Sequence, residues 1–117
     1  MTILLDTNVL SELLRSAPHP SVISWFSAQR PHDLFVSSNT KAEMMLGARL
    51  LPAGKRRQTL EAALAAMFDE DFAERVLPFD GHAVVRYVDV VCARRAAGRP
   101  ISQFDAQIAA IAAHTAW

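Results

Sequence analysis

The sequence predicts an α/β domain in which a mainly parallel sheet is covered by helices. Three observations carry that expectation. Short apolar runs of strand length occur at Ile3-Leu4-Leu5, at Leu34-Phe35-Val36 and within Arg75-Val76-Leu77-Pro78-Phe79. Each is followed by segments whose apolar residues recur at helical spacing. The resulting order of strand, helices, strand, helices, strand, helices joins neighbouring strands by helical crossovers, and strands joined that way run parallel. With 117 residues, 51% of them hydrophobic, the chain can bury one core, so a single domain over residues 1–117 is expected.

Taken in order, the first strand leads into a short helix carrying Val9, Leu10, Leu13 and Leu14, which ends near Arg15 before Pro18 and Pro20. Ser21 to Arg30 restores helical spacing, with Val22, Trp25 and Phe26 on one face. After Arg30-Pro31, Leu34-Phe35-Val36 has the brevity of a buried strand. Thr40-Lys41-Ala42-Glu43 matches a capping box and predicts the next helix start; Pro52-Ala53-Gly54 ends that helix. Lys55 to about Phe72 is Ala-rich and amphipathic, which predicts one long helix. The third strand contains Pro78, a mark of an edge or a strand end. Asp80 then opens a helix over Ala83 to Ala97, closed by Gly98 and Pro100, and Ser102-Gln103-Phe104-Asp105 forms a second capping box ahead of the helix Ala106 to Ala113.

Asp6 stands at the first strand-to-helix junction, and in an open α/β sheet ligands bind beyond the carboxyl ends of the strands. Glu43 and Asp105 occupy comparable helix starts. Each acid has a structural reading as a cap or a first-turn residue, and Asp80 reads as a cap as well. Together, Asp6, Glu43 and Asp105 predict three carboxyl groups converging on one rim within reach of one ion. Crowded carboxylates repel, and a divalent cation relieves the conflict. All-oxygen ligands without Cys or His suit Mg²⁺ or Mn²⁺ rather than zinc.

These stretches also resemble a known family. Leu4-Leu5-Asp6-Thr7-Asn8-Val9-Leu10-Ser11-Glu12, then Ser38-Asn39-Thr40-Lys41-Ala42-Glu43 with Gly47, then Gly98-Arg99-Pro100-Ile101-Ser102 leading to Asp105-Ala106-Gln107-Ile108-Ala109-Ala110, are similar in order to the PIN-domain ribonucleases. The likeness is strongest to the toxin component of VapBC-type toxin–antitoxin pairs. It implies a PIN-like α/β/α sandwich that uses Mg²⁺ or Mn²⁺ to cut RNA, pairs as a homodimer and binds a small cognate antitoxin. It places Asp6, Glu43 and Asp105 at the family's acidic positions, as catalytic and metal-holding residues, with Thr7 and Thr40 as polar neighbours. Family members continue into a further strand and a segment like Thr-Arg-Asn-x-x-Asp-Phe, which brings a fourth acid. This chain reaches His114-Thr115-Ala116-Trp117 without them, so a C-terminally truncated domain with weakened metal affinity and an exposed sheet edge is expected.

The remaining composition narrows the alternatives. Net charge is zero, so contact with nucleic acid must come from local clusters. Arg49, Lys55, Arg56 and Arg57 form one such cluster and Arg94, Arg95 and Arg99 another; each reads either as a solvated face or as a contact for RNA phosphates. The lone Cys92 permits no internal disulfide, fits a reducing compartment and reads as buried. The start at Met1-Thr2 lacks a signal-peptide pattern and no run is long enough to span a bilayer, so a cytoplasmic protein without membrane attachment is expected. The four histidines show no ligand spacing, and neither a nucleophile elbow nor a glycine-rich phosphate loop is present. The leading expectation is a metal-dependent endoribonuclease toxin in which Asp6 and Asp105 ligate the ion and Glu43 holds it or orients its water. Two rivals remain: a catalytically silent PIN-like module that binds an antitoxin or a twin subunit, and a metal-dependent DNA nuclease.

Overall fold

Three strands form one parallel sheet in the computed structural model, which describes residues 2–115 apart from the side chains of His114 and Thr115. The chain end at Ala116-Trp117, on which the truncation expectation rests, and the role of the His114 side chain lie outside the described residues. In chain order the elements are β1 (Ile3–Leu5), α1 (Thr7–Leu13), α2 (Pro20–Ser27), β2 (Leu34–Ser37), α3 (Ser38–Arg49), α4 (Lys55–Ala66), β3 (Val76–Leu77), α5 (Gly81–Ala96) and α6 (Gln103–Thr115). The sheet order is β1-β2-β3, with Ile3 opposite Leu34, Leu5 opposite Val36, and Val36 opposite Val76.

Alternate residues of a strand face opposite sides of a sheet, and this alternation builds two cores. Ile3, Leu5, Leu34, Val36 and Val76 pack on one side against Leu10, Ala48, Leu64, Met67, Phe68 and Phe72. Leu4 and Leu77 pack on the other against Ala83, Ala110 and Ile111, with Phe79 and Tyr87 alongside. The fully buried Ala83 and Ala110 present only methyl groups where α5 and α6 meet the sheet. Helices therefore cover both faces, as an α/β/α sandwich requires.

Several boundaries differ from the sequence expectation, each for a physical reason. α3 begins at Ser38 because Ser37, in extended backbone at the end of β2, accepts the Thr40 N–H through its side chain. The cap is thus Ser37, and the predicted Thr40–Glu43 capping box is not the helix start. Glu43 stands in the second turn. The long helix predicted from Lys55 to Phe72 gives way after Ala66 to a wider π-type turn over Met67–Asp71, in which the Phe72 N–H bonds the Met67 carbonyl at 2.9 Å. That extra residue per turn lets Met67, Phe68 and Phe72 all reach the core. β3 is only two residues long, since Pro78 has no N–H to extend the ladder. Arg75 compensates by donating from Nε to the Leu34 carbonyl at 2.9 Å, which ties the start of β3 to β2.

Cys92 is exposed rather than buried, a correction to the sequence reading. Asp80 caps α5 as expected, its Oδ1 accepting from the N–H groups of His82 and Ala83. Gly98, at φ 71°, turns the chain out of α5 in a conformation that only glycine adopts freely. Among the described residues no helix is long and apolar enough to cross a membrane.

Candidate active site

Because β1 and β2 are parallel, their carboxyl ends lie on one edge of the sheet, and both feed directly into helices there. Asp6 is the residue between β1 and α1. Its Oδ1 accepts the Val9 N–H at 3.0 Å, so it caps α1. Thr7 follows, and its hydroxyl donates to the hydroxyl of Thr40 at 3.2 Å. Thr40 is fully buried; it also accepts from the Ser37 hydroxyl at 3.1 Å, while the Ser37 oxygen takes the Thr40 N–H at 3.0 Å. This chain of three hydroxyls locks the end of β1 to the end of β2.

The first turns of α6, which carry Asp105, meet the start of α3. The Ser102 hydroxyl accepts the Asp105 N–H at 3.1 Å and caps the helix, as the second capping box predicted. Two residues on, Gln107 accepts a hydrogen bond from the Asn39 side-chain amide, joining the first turn of α3 to the first turns of α6. The sequence reading singled out neither Asn39 nor Gln107 as a linking pair. Both lie inside the stretches that resemble the PIN family, yet nothing in a single sequence says that two amides 68 positions apart meet.

The structure thus brings the elements carrying Asp6, Glu43 and Asp105 to one edge. It does not draw the side chains into a closed cage: among the described residues no three His, Cys, Asp or Glu side chains are grouped closely enough to hold a metal ion. All three carboxylates are exposed, and within the described residues no hydrogen bond engages those of Glu43 and Asp105. The donor chemistry, three carboxylates with no thiolate or imidazole, fits a hard ion such as Mg²⁺ or Mn²⁺.

Along Glu43 runs a groove of about 1110 Å³ lined by Thr7, Ser11, Glu43, Lys55, Arg56 and Thr59, among others. The neighbouring basic cluster is divided in two. Glu61 takes Arg57 Nε at 2.9 Å and Arg49 Nη2 at 3.0 Å, pinning the end of α3 to α4. Hydrogen bonds from Arg57 and then Arg49 hold the Glu61 carboxyl below the usual glutamate range. A depressed carboxylate contributes stability above its unfolded pKa and loses it as pH falls through the folded value. Glu61→Gln should therefore lower the Tm slightly at neutral pH, and the melting curves of variant and parent should converge in acid. A gap that persisted at low pH would show that Glu61 acts through packing instead.

Two histidines have plain structural roles. His19 caps α2, its Nδ1 accepting the Ser21 N–H at 3.2 Å. His32 is an exposed member of the short 3₁₀ turn before β2. Trp25 is 42% exposed, and Ile23 on the same helix is 43% exposed.

A three-stranded parallel sheet between helical layers, with Asp6 and the Thr7, Ser37 and Thr40 hydroxyls where its strands end, defines an α/β/α sandwich. The chain belongs to the PIN domain family, which it matches over residues 3–117. Over 110 residues, covering 94% of this chain and 79% of each relative, it is 43% identical to plasmid stability protein StbB of Pseudomonas syringae pv. tomato and 40% identical to VapC ribonuclease Y4jK of Sinorhizobium fredii. It is 38% identical, with the same coverage, to toxin FitB of Neisseria gonorrhoeae. Among solved structures, the crystal structure of FitAcB from Neisseria gonorrhoeae superposes with a TM-score of 0.93 at 36% identity, covering 98% of this chain and 83% of that one.

Proposed function

We propose that this protein is a metal-dependent endoribonuclease that acts as the toxin of a toxin–antitoxin pair. The observation that carries this reading is the hydrogen-bonded edge itself. The Thr7–Thr40 and Asn39–Gln107 bonds bring three acid-bearing elements from distant parts of the chain to the carboxyl ends of β1 and β2. The PIN family membership and the relatives named VapC ribonuclease and toxin FitB support it.

Asp6 and Asp105 would hold Mg²⁺ or Mn²⁺, and Glu43 would hold the ion or orient its water. When bound, such an ion lowers the pKa of a coordinated water and neutralises charge on a phosphodiester under in-line attack. The chain's own contribution is placement. The backbone of Asp6 is fixed by its cap and by β1, and the Thr40 hydroxyl holds the next residue against α3. Asp105 is set by the Ser102 cap and by the Asn39–Gln107 amide pair two residues further on.

An antitoxin fits a different face. A largely apolar cleft of about 650 Å³ runs between α1, α2 and the end of α4, lined by Leu13, Leu14, Phe26, Met67 and Phe72, and an apolar segment of a protein partner could occupy it. The exposed Ile23 and Trp25, with Met45, Leu46 and Leu50 on and just beyond α3, offer further apolar area for a twin subunit.

The test is cleavage of single-stranded RNA. Activity should require Mg²⁺ or Mn²⁺, disappear with chelator and return when the ion is restored in excess. Cleavage that continues in chelator would overturn the metal mechanism, and equal cutting of DNA of the same sequence would move the assignment to a general nuclease. Binding to an antitoxin without any cleavage would leave the silent binding module standing.

A further inference from the structure

We propose that Lys55 and Arg56 are the substrate-holding residues of this site, gripping backbone phosphates of single-stranded RNA in the groove beside Glu43. The inference rests on the ribonuclease reading above and adds the path of the substrate to it.

Four cations crowd residues 49 to 57, and sequence alone treats them as one cluster. The structure separates them. Arg49 and Arg57 are neutralised by Glu61, whereas among the described residues Lys55 and Arg56 have neither a carboxylate nor a hydrogen-bond partner. Both are exposed, and both line the 1110 Å³ groove that Thr7 and Glu43 also line. The groove therefore shares Glu43 and Thr7 with the acidic edge, and its two uncommitted positive charges line the same groove as Glu43.

The backbone reinforces them. Lys55 and Arg56 are the first two residues of α4, whose preceding Gly54 supplies no side-chain cap. The free N–H groups of that first turn and the positive end of a 12-residue helix add to the two side chains. Net charge is zero, so a polyanion gains nothing from the protein at large and must be captured by a local group of this kind. A strand whose phosphorus lies at the Asp6, Glu43 and Asp105 edge has to continue somewhere, and the groove that Thr7 and Glu43 line offers paired cations. An acidic peptide shares the attraction to Lys55 and Arg56, but nothing in it would use the adjoining acidic edge.

The experiment uses the full chain, a fluorescein-labelled single-stranded RNA and the double variant Lys55→Gln/Arg56→Gln. Arg86→Gln/Arg95→Gln on α5 removes the same charge from residues that do not line the groove. Cleavage kinetics should show KM rising roughly tenfold in the groove variant with kcat within about twofold of the parent. Fluorescence anisotropy in an Asp6→Asn background, which blocks cleavage, should show the slope of log K against log salt falling by about 1.4, from ~0.7 per phosphate contact on a single strand. The single variants Lys55→Gln and Arg56→Gln should each remove about half of that slope, and the α5 pair should remove none. Unchanged KM and slope in the groove variant, or an equal loss in the α5 pair, would overturn the proposal and leave the groove to a protein partner. A parent chain that binds RNA through Lys55 and Arg56 but never cuts it would instead overturn the ribonuclease reading while sustaining this one.

Discussion

Asp6→Asn and Asp105→Asn should each reduce RNA cleavage by at least about a hundredfold while leaving the protein folded, because an amide oxygen does not replace the charge of a lost carboxylate ligand. The folded state should hardly notice. Asp6 stabilises α1 by accepting the Val9 N–H, and asparagine caps a helix about as well as aspartate, so stability should change by no more than about 0.5 kcal/mol. Asp105 engages its surroundings through its backbone N–H to Ser102, which substitution of the side chain leaves in place. Glu43→Gln should follow the same pattern. Asp80→Asn supplies the contrast, since Asp80 caps α5 and asparagine caps about as well, so this substitution should matter less to cleavage. Parallel urea melts and cleavage assays give the answer: a double Asp6→Asn/Asp105→Asn protein that cuts at the parental rate would remove these carboxylates from the mechanism.

Thr40→Val should have the opposite profile, with a large loss of stability accompanying the loss of activity. Thr40 and Ser37 are both fully buried, and Thr40 Oγ1 is the acceptor for the hydroxyls of Ser37 and Thr7. Valine fills the same space but removes that acceptor, and each buried hydroxyl left unpaired costs about 1–3 kcal/mol. For a domain of this size such a loss shifts the Tm by several degrees. It also frees the end of β1 from α3, so kcat should fall as Asp6 and Glu43 lose their fixed separation. Thr40→Ser keeps the hydroxyl and should recover most of both. A Thr40→Val protein as stable and active as the parent would show that the hydroxyl chain is incidental.

Much of this was legible in the sequence because it depends on local patterns. The three strands are announced by apolar runs too short for helices, and Asp80 and Ser102 sit where a cap must sit, so the order of elements and the parallel sheet follow directly. The start of α3 was misplaced because Ser37 and Thr40 both have the chemistry of a cap. Only the strand end at Ser37, fixed by pairing with its neighbours, decides between them. The wide turn at Met67–Asp71 was invisible for a similar reason: helix propensity runs on through it, and burial of Phe68 and Phe72 overrides that propensity. At the candidate site, the acids stand out as residue types, whereas the contacts that place them are long-range. Neither Thr7 with Thr40 nor Asn39 with Gln107 is foreshadowed by spacing. The division of labour within the Arg49 to Arg57 cluster depends wholly on where Glu61 lies across the α3–α4 turn.

The sheet register carries a kinetic consequence. Ile3 pairs with Leu34 and Val36 with Val76, so no strand of this sheet can form against a neighbour close in sequence. Closing such loops costs chain entropy before any strand contact repays it, whereas α5 and α6 follow one another and pack on each other directly. The helix pair is thus the part of the molecule favoured to organise early, and the carboxyl edge the part that waits. Its Thr7–Thr40 bond needs the first long closure and its Asn39–Gln107 bond a still longer one. A chain that has gained most of its helix need not yet possess the acidic edge, and topology alone delays the moment at which a newly made molecule could damage RNA.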